Sequence, residues 1–204
     1  MRRIGLDFDN TMICYDLVFL AAARERGILS PDFSGDKQQI RDAIRLLPDG
    51  EMVWQKLQGH VYGRGLASAR PFDGLGSFLR RACAAGDTIL IVSHKTEFGH
   101  FDADRVNLRD AARDWIAAQG YFDPRRIGVS TANVFFENTR AEKIRRIAAT
   151  GCDVFVDDLE EVLLDPDFPS AVERVLFSHR RPTAIEAPYA VCANWRAVEE
   201  VLFR

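Results

Sequence analysis

Residues 4–11 read Ile4-Gly5-Leu6-Asp7-Phe8-Asp9-Asn10-Thr11. A short apolar run ends abruptly in two carboxylates one residue apart, which is the pattern of a buried strand opening onto a polar loop. Eighty residues on, Thr88-Ile89-Leu90-Ile91-Val92 is continuous, β-branched and apolar, as expected of a strand covered on both faces of a parallel sheet. Val154-Phe155-Val156 repeats the pattern and also ends in carboxylates, Asp157 and Asp158. Further strands are expected at 127–129, 134–136, 174–177 and 189–193.

Between these runs the apolar spacing turns helical. Helices are expected over 73–85, 106–119 and 139–150, with Gly86 and Gly120 as stops, and a last helix is capped by Asn194. Strands alternating with helices imply βαβ units and a three-layer α/β core around a parallel sheet. The stretch after the first strand breaks this rhythm. Helices over 16–26, 36–47 and 51–61 follow one another with no strand between them, and 62–66 (Tyr62-Gly63-Arg64-Gly65-Leu66) reads as a flexible connection with Gly63 and Gly65 as hinges. That is too much chain for a simple crossover. The expected organisation is a core of residues 1–14 and 68–204 with a small helical cap, 15–67, inserted after the first strand and roofing the crevice beside Asp7.

Composition narrows the function classes. The chain has 204 residues, 47% apolar and 28% charged, which is enough to bury a core without disulfides or a structural metal. A formal charge of -3 argues against nucleic acid as a partner. Cys14, Cys83, Cys152 and Cys192 show no metal or redox spacing, so a reducing, cytoplasmic setting is expected. No run approaches the ~18–20 apolar residues of a membrane span. Nothing in the sequence speaks to oligomeric state.

In open α/β sheets, ligands bind beyond the carboxyl ends of the strands. Four polar signals fall there: Asp7, Asp9 and Thr11 after the first strand; Ser93 after the 88–92 run; Lys143 early in its helix; Asp157 and Asp158. Each alone reads as a cap, a turn or a solvated charge. Together, the acids would crowd negative charge into one crevice, which a hard divalent cation such as Mg²⁺ relieves. Lys143 and Ser93 would complete a pocket for a phosphoryl group, and a carboxylate can serve as nucleophile through an aspartyl-phosphate.

At these residues the sequence resembles the haloacid dehalogenase-like (HAD) superfamily. The matching motifs are DFDNT (7–11), VSH (92–94), EKI (142–144) and VDDLEE (156–161), in the family's order. The resemblance implies a Rossmann-like core and a Mg²⁺-dependent phosphohydrolase acting on a small phosphorylated metabolite. It implies Asp7 as nucleophile and Asp9 as general acid and base. It implies Mg²⁺ held by Asp7, the backbone carbonyl of Asp9, Asp157 and Asp158, the last directly or through water. Ser93 and Lys143 would bind the phosphoryl group and Thr11 would pin the loop. Dehalogenases lack the second acid, so Asp9 disfavours that chemistry. A phosphomutase on the same core and a non-catalytic binding domain are the alternatives. A phosphonatase would draw a lysine from the cap, where Lys37 and Lys56 lie. His94, Lys95 and His100 could touch substrate or be solvated loop. Arg64 and Arg70 could meet an anionic substrate but read rather as surface charge, as does the cluster Arg140-Arg145-Arg146, and Trp54, Trp115 and Trp195 read as packing.

Overall fold

The computed structural model describes residues 1–99, 105–179 and 188–203. His100 lies outside the described residues. The strands are β1 (Arg3–Leu6), β2 (Ile13–Cys14), β3 (Arg70–Pro71), β4 (Thr88–His94), β5 (Val134–Glu137), β6 (Val154–Asp157), β7 (Glu173–Phe177) and β8 (Ala190–Cys192). The helices are α1 (Asp16–Glu25), α2 (Lys37–Arg45), α3 (Gly50–Tyr62), α4 (Leu75–Ala84), α5 (Leu108–Ala118), α6 (Arg140–Thr150), α7 (Glu160–Leu163) and α8 (Trp195–Leu202). Six strands form one parallel sheet in the order β5-β4-β1-β6-β7-β8, so the fold is the expected α/β class.

The chain divides into two units. The first comprises Met1–Ile13, Pro71–Lys95 and Ile116–Arg204, and the second Cys14–Arg70 and Thr96–Trp115. In the first, the sheet order puts β1 between β4 and β6, the strands with the most continuous apolar sequence. Ile4 and Leu6 are fully buried, as are Phe155 and Val156. Gly5 sits mid-strand where a β-branched residue would be usual. The reason is close approach: a Cβ there would lie 2.4 Å from Cδ2 of Phe155. The absent side chain is the space the ring occupies. α6 begins on a capping box, in which Thr139 accepts from the Glu142 N–H and Glu142 accepts from the Thr139 N–H. This fixes the helix that carries Lys143.

The second unit packs around aromatic rings. Phe19 of α1 stacks on Trp54 of α3 at 4.8 Å, and Tyr15 meets Tyr62 edge-on at 4.9 Å. Lys37 Nζ stands 5.4–5.9 Å from the rings of Tyr62, Phe19 and Tyr15, a cation–π arrangement at the start of α2. Trp115 of α5 donates its Nε1–H to the carbonyl of Ala69 at 2.8 Å. That bond ties α5 to the chain just before β3.

Two local expectations change. Residues 127–129 form no strand: Gly128 has φ +85°, and the amides of Arg126 and Ile127 are spent on the carbonyl of Asp123, making a turn. The connection over 62–66 continues α3 as a 3-10 helix, Arg64–Ser68, rather than a loose linker. Gly63 serves close packing there, since a Cβ would meet the Gly59 carbonyl at 3.0 Å and Val106 at 3.1 Å. The three tryptophans are buried, as packing residues should be. All four cysteines are free thiols. No helix among the described residues is long and apolar enough to cross a membrane.

Candidate active site

The chain after β1 turns tightly. Asn10 adopts φ +58°, a conformation that asparagine tolerates better than most residues, and the amides of Met12 and Ile13 return to the Phe8 carbonyl. This loop presents Asp7 and Asp9. Trp195 of α8 braces it from below, donating its Nε1–H to the Thr11 carbonyl at 3.1 Å. The Thr11 hydroxyl is buried and has no hydrogen-bond partner in the structure. The register of β1 with β4 pairs Leu6 with Ile91, so Ser93 stands two residues beyond, at the same end of the sheet as Asp7. It is buried.

Lys143 reaches the loop from α6. Its Nζ lies 2.7 Å from Asp7 Oδ1 and 2.6 Å from Asp157 Oδ2. The contact to Asp7 is a hydrogen bond, whereas Asp157 Oδ2 has no hydrogen bond of good angle and is held by charge. Asp157 Oδ1 accepts from the Leu159 N–H at 3.0 Å. All three side chains are nearly or fully buried. Burial alone would lower the Lys143 pKa, but the carboxylates of Asp157 and Asp7 outweigh it and the net shift is upward. The Asp157 pKa is raised to about 6: burial pushes it up, Lys143 pulls it down and Asp7 pushes it up again. Asp157 is therefore mostly ionised at neutral pH, and Lys143 is charged.

The oxygens of Asp7, Asp157 and Asp158 lie within 4.8 Å of one another, with Asp158 half-exposed at the opening. An all-carboxylate set suits a hard cation of the Mg²⁺ type. The Asp9 side chain is engaged elsewhere. Lys95 Nζ lies 3.0 Å from its Oδ1 and 2.8 Å from its Oδ2.

No protein-family model matches this sequence, and no curated protein matches it. Solved structures do. Protein Tyrosine Kinase A of Mycobacterium tuberculosis superposes at a TM-score of 0.62 with 16% identity, over 100% of this chain and 98% of that one. YfnB from Bacillus subtilis, solved bound to magnesium, gives 0.61 with 11% identity, over 100% and 99%. A predicted phosphoglycolate phosphatase from Haemophilus somnus gives 0.56 with 14% identity, over 98% and 97%. HAD-superfamily hydrolases recur among the other neighbours. The fold is HAD-like.

Within this HAD-like sheet, the structure joins Asp7, Lys143 and Asp157 by direct contact and sets Asp158 beside them. Ser93 and Thr11 are placed by their elements at the same sheet end. For Lys95 the sequence left substrate contact and solvated loop open, and the structure pairs it with Asp9 instead. Lys95 is 4% exposed and buried against the ring of Phe8, with Nζ 5.4 Å from the centroid. Only its position after Ser93 hinted at proximity. His94 turns outward, its Nε2 paired with the Asn138 carbonyl at 2.8 Å. Arg140 and Arg146 pair with Glu161 and Glu137, as surface charges do.

Proposed function

We propose that this protein is a Mg²⁺-dependent phosphoric monoester hydrolase acting on a small phosphorylated metabolite. The supporting observation is the buried Asp7–Lys143–Asp157 triad, with Asp158 within ligand distance and a second carboxylate, Asp9, two residues from Asp7. Asp7, Asp157 and Asp158, with the backbone carbonyl of Asp9, would hold the metal. When bound, Mg²⁺ offsets charge on the acids and on the substrate phosphoryl oxygens.

Asp7 attacks phosphorus in line with the ester oxygen. Asp9 enters this step protonated; the phosphorus–oxygen bond to the leaving group breaks and Asp9 gives that oxygen its proton, producing an alcohol and an aspartyl-phosphate on Asp7. Asp9, now a carboxylate, takes a proton from water. The resulting oxygen attacks phosphorus, releasing inorganic phosphate and regenerating Asp7. Lys143 stays between Asp7 and Asp157 and moderates the charge on the nucleophile, while Ser93 donates to a phosphoryl oxygen. Two acids in the first loop separate this reading from carbon–halogen hydrolysis, whose leaving halide takes no proton.

The test is a screen of the purified protein against a panel of phosphorylated metabolites, with Mg²⁺ and with EDTA. Phosphate release that needs Mg²⁺ is expected for at least one small ester. Full activity in EDTA, or no release across the panel, refutes the reading.

A further inference from the structure

Each acid of the first loop is held by a lysine from a different element. Lys143 holds Asp7, as the triad requires. Lys95 holds Asp9, and the reaction as written above gives that contact no task. The Lys95 amide donates to the Glu137 carbonyl at 2.9 Å, so the residue beyond β4 is anchored on β5. Its stem passes over Phe8 and its Nζ spans both Asp9 oxygens, at 3.0 and 2.8 Å. The Lys95 side chain is 2% exposed and that of Asp9 20%. Lysine is almost never buried this deeply unless paired, and ordering its long stem costs rotamer entropy. The grip is thus built into the fold rather than a surface encounter.

A carboxylate held through one oxygen can still swing about its Cβ–Cγ bond. Held through both, it cannot turn without breaking a contact. Orientation matters at this residue because proton transfer needs the donor within about 2.6–3.2 Å of its partner. We propose that Lys95 is the positioning residue for Asp9, fixing the carboxylate in the orientation that serves the leaving oxygen. The proposal rests on the acid–base role assigned to Asp9 above.

The test compares Lys95→Met, Lys95→Arg, Asp9→Asn and the Lys95→Met/Asp9→Asn double variant of the full chain. The substrates are p-nitrophenyl phosphate and an alkyl phosphate, followed in the first turnover. Nitrophenolate leaves with little help, whereas an alkoxide needs the proton. Lys95→Met should lose roughly 10²-fold in rate on the alkyl ester, the scale of a misplacement of about 1 Å. It should lose far less on the aryl ester, with KM unchanged on both. Lys95→Arg should recover part of the loss. In the double variant, removing Lys95 should cost nothing more, leaving it within about twofold of Asp9→Asn alone. Equal losses on both esters with raised KM, or losses that multiply in the double variant, overturn the proposal, because Lys95 would then be gripping substrate. If Asp9→Asn itself ignores the leaving group, the role of Asp9 falls and the proposal with it; if Asp9→Asn discriminates and Lys95→Met does not, the proposal alone falls. Should Lys95→Met not fold, Lys95→Gln keeps an N–H donor on a long stem and carries the same comparison.

Discussion

Replacing Lys143 by methionine tests the charge arrangement of the site without any substrate. In the native protein its ammonium is 2.7 Å from Asp7 and 2.6 Å from Asp157, and Asp157 is wholly buried. Methionine keeps much of the stem volume and removes the cation. Two ionised carboxylates are then left within 4.8 Å. At an effective dielectric of about 20, two unit charges at that distance repel by roughly 3.5 kcal/mol. This agrees with the about 3–5 kcal/mol typical of breaking a buried pair from one side. For a chain of this size, each kcal/mol shifts Tm by roughly 2–4 °C, so Lys143→Met should melt roughly 6–20 °C lower at pH 7.5 without metal. The pH dependence has a definite sign. Asp157 is already pushed up to about 6, against 3.8 ordinarily, and Lys143 is what holds it down. Without Lys143 its folded-state pKa rises further, and the folded protein takes up a proton that the unfolded chain refuses. Stability therefore increases as pH falls from 7.5 to 5.5, and more in the variant than in the native protein. Mg²⁺ at pH 7.5 should likewise raise the variant's Tm more than the native one, since a cation replaces a cation. Thermal unfolding followed by circular dichroism, at both pH values and with and without Mg²⁺, reads all three. An unchanged Tm, or a deficit indifferent to both pH and Mg²⁺, would show that the acids do not share one electrostatic site.

Gly5→Ala should destabilise by about 1–3 kcal/mol through overpacking against Phe155, and the Gly5→Ala/Phe155→Leu pair should regain part of it in urea unfolding. Ca²⁺ should compete with Mg²⁺ and inhibit hydrolysis, because its larger and looser shell misplaces the nucleophile; undiminished turnover with Ca²⁺ alone would contradict the role of the acids. Asp7→Asn should be inactive on every substrate, whereas Asp9→Asn should lose roughly 10²–10⁴-fold on an alkyl phosphate and less on p-nitrophenyl phosphate, with a burst of nitrophenol before a slow steady state. Activity remaining in Asp7→Asn would remove the nucleophile assignment.

The sheet was legible because β1, β4 and β6 are buried on both faces and therefore read as unbroken apolar runs. Their polar ends were legible only as a set: one carboxylate after such a run reads as a cap or a turn, and several in order at neighbouring strand ends point to one crevice. Lys95 was not. A lysine in a loop after a strand looks solvated, and its burial arises only once β5 anchors its backbone and Phe8 lies beneath its stem. The partner of α5 was hidden too. The amphipathic spacing of α5 shows that one face is covered, and the bond from Trp115 to Ala69, 46 residues away, decides by what. At 127–129, the apolar-Gly-apolar pattern resembled a short strand, but the amides of Arg126 and Ile127 close a turn on Asp123 and Gly128 sits at positive φ.

The net charge of the site gives the metal reading its strongest physical support. Among the described residues, the carboxyl groups of Asp7, Asp9, Asp157 and Asp158 gather with the ammonium groups of Lys95 and Lys143. Each lysine is committed to a buried pair, so neither is released to meet a phosphoryl dianion without stranding an acid. With every acid counted as ionised, these six groups sum to a formal charge of -2, and a substrate bringing two more negative charges would be repelled. A divalent cation among Asp7, Asp157 and Asp158 brings the site to neutrality and leaves the ion pairs intact. A dehalogenase faces no such problem, since a haloacid brings one charge and its carbon–halogen bond needs no proton from Asp9. A phosphomutase on the same core would require the same cation but also an acceptor hydroxyl beside Asp9. The two divide on one measurement: in the aspartyl-phosphate stage, a hydrolase passes the phosphoryl group to water whatever alcohol is present, while a transferase sends it to the alcohol. Measuring whether phosphate release and leaving-group release stay stoichiometric as an added alcohol is raised decides between them, and a constant one-to-one ratio is the expected result.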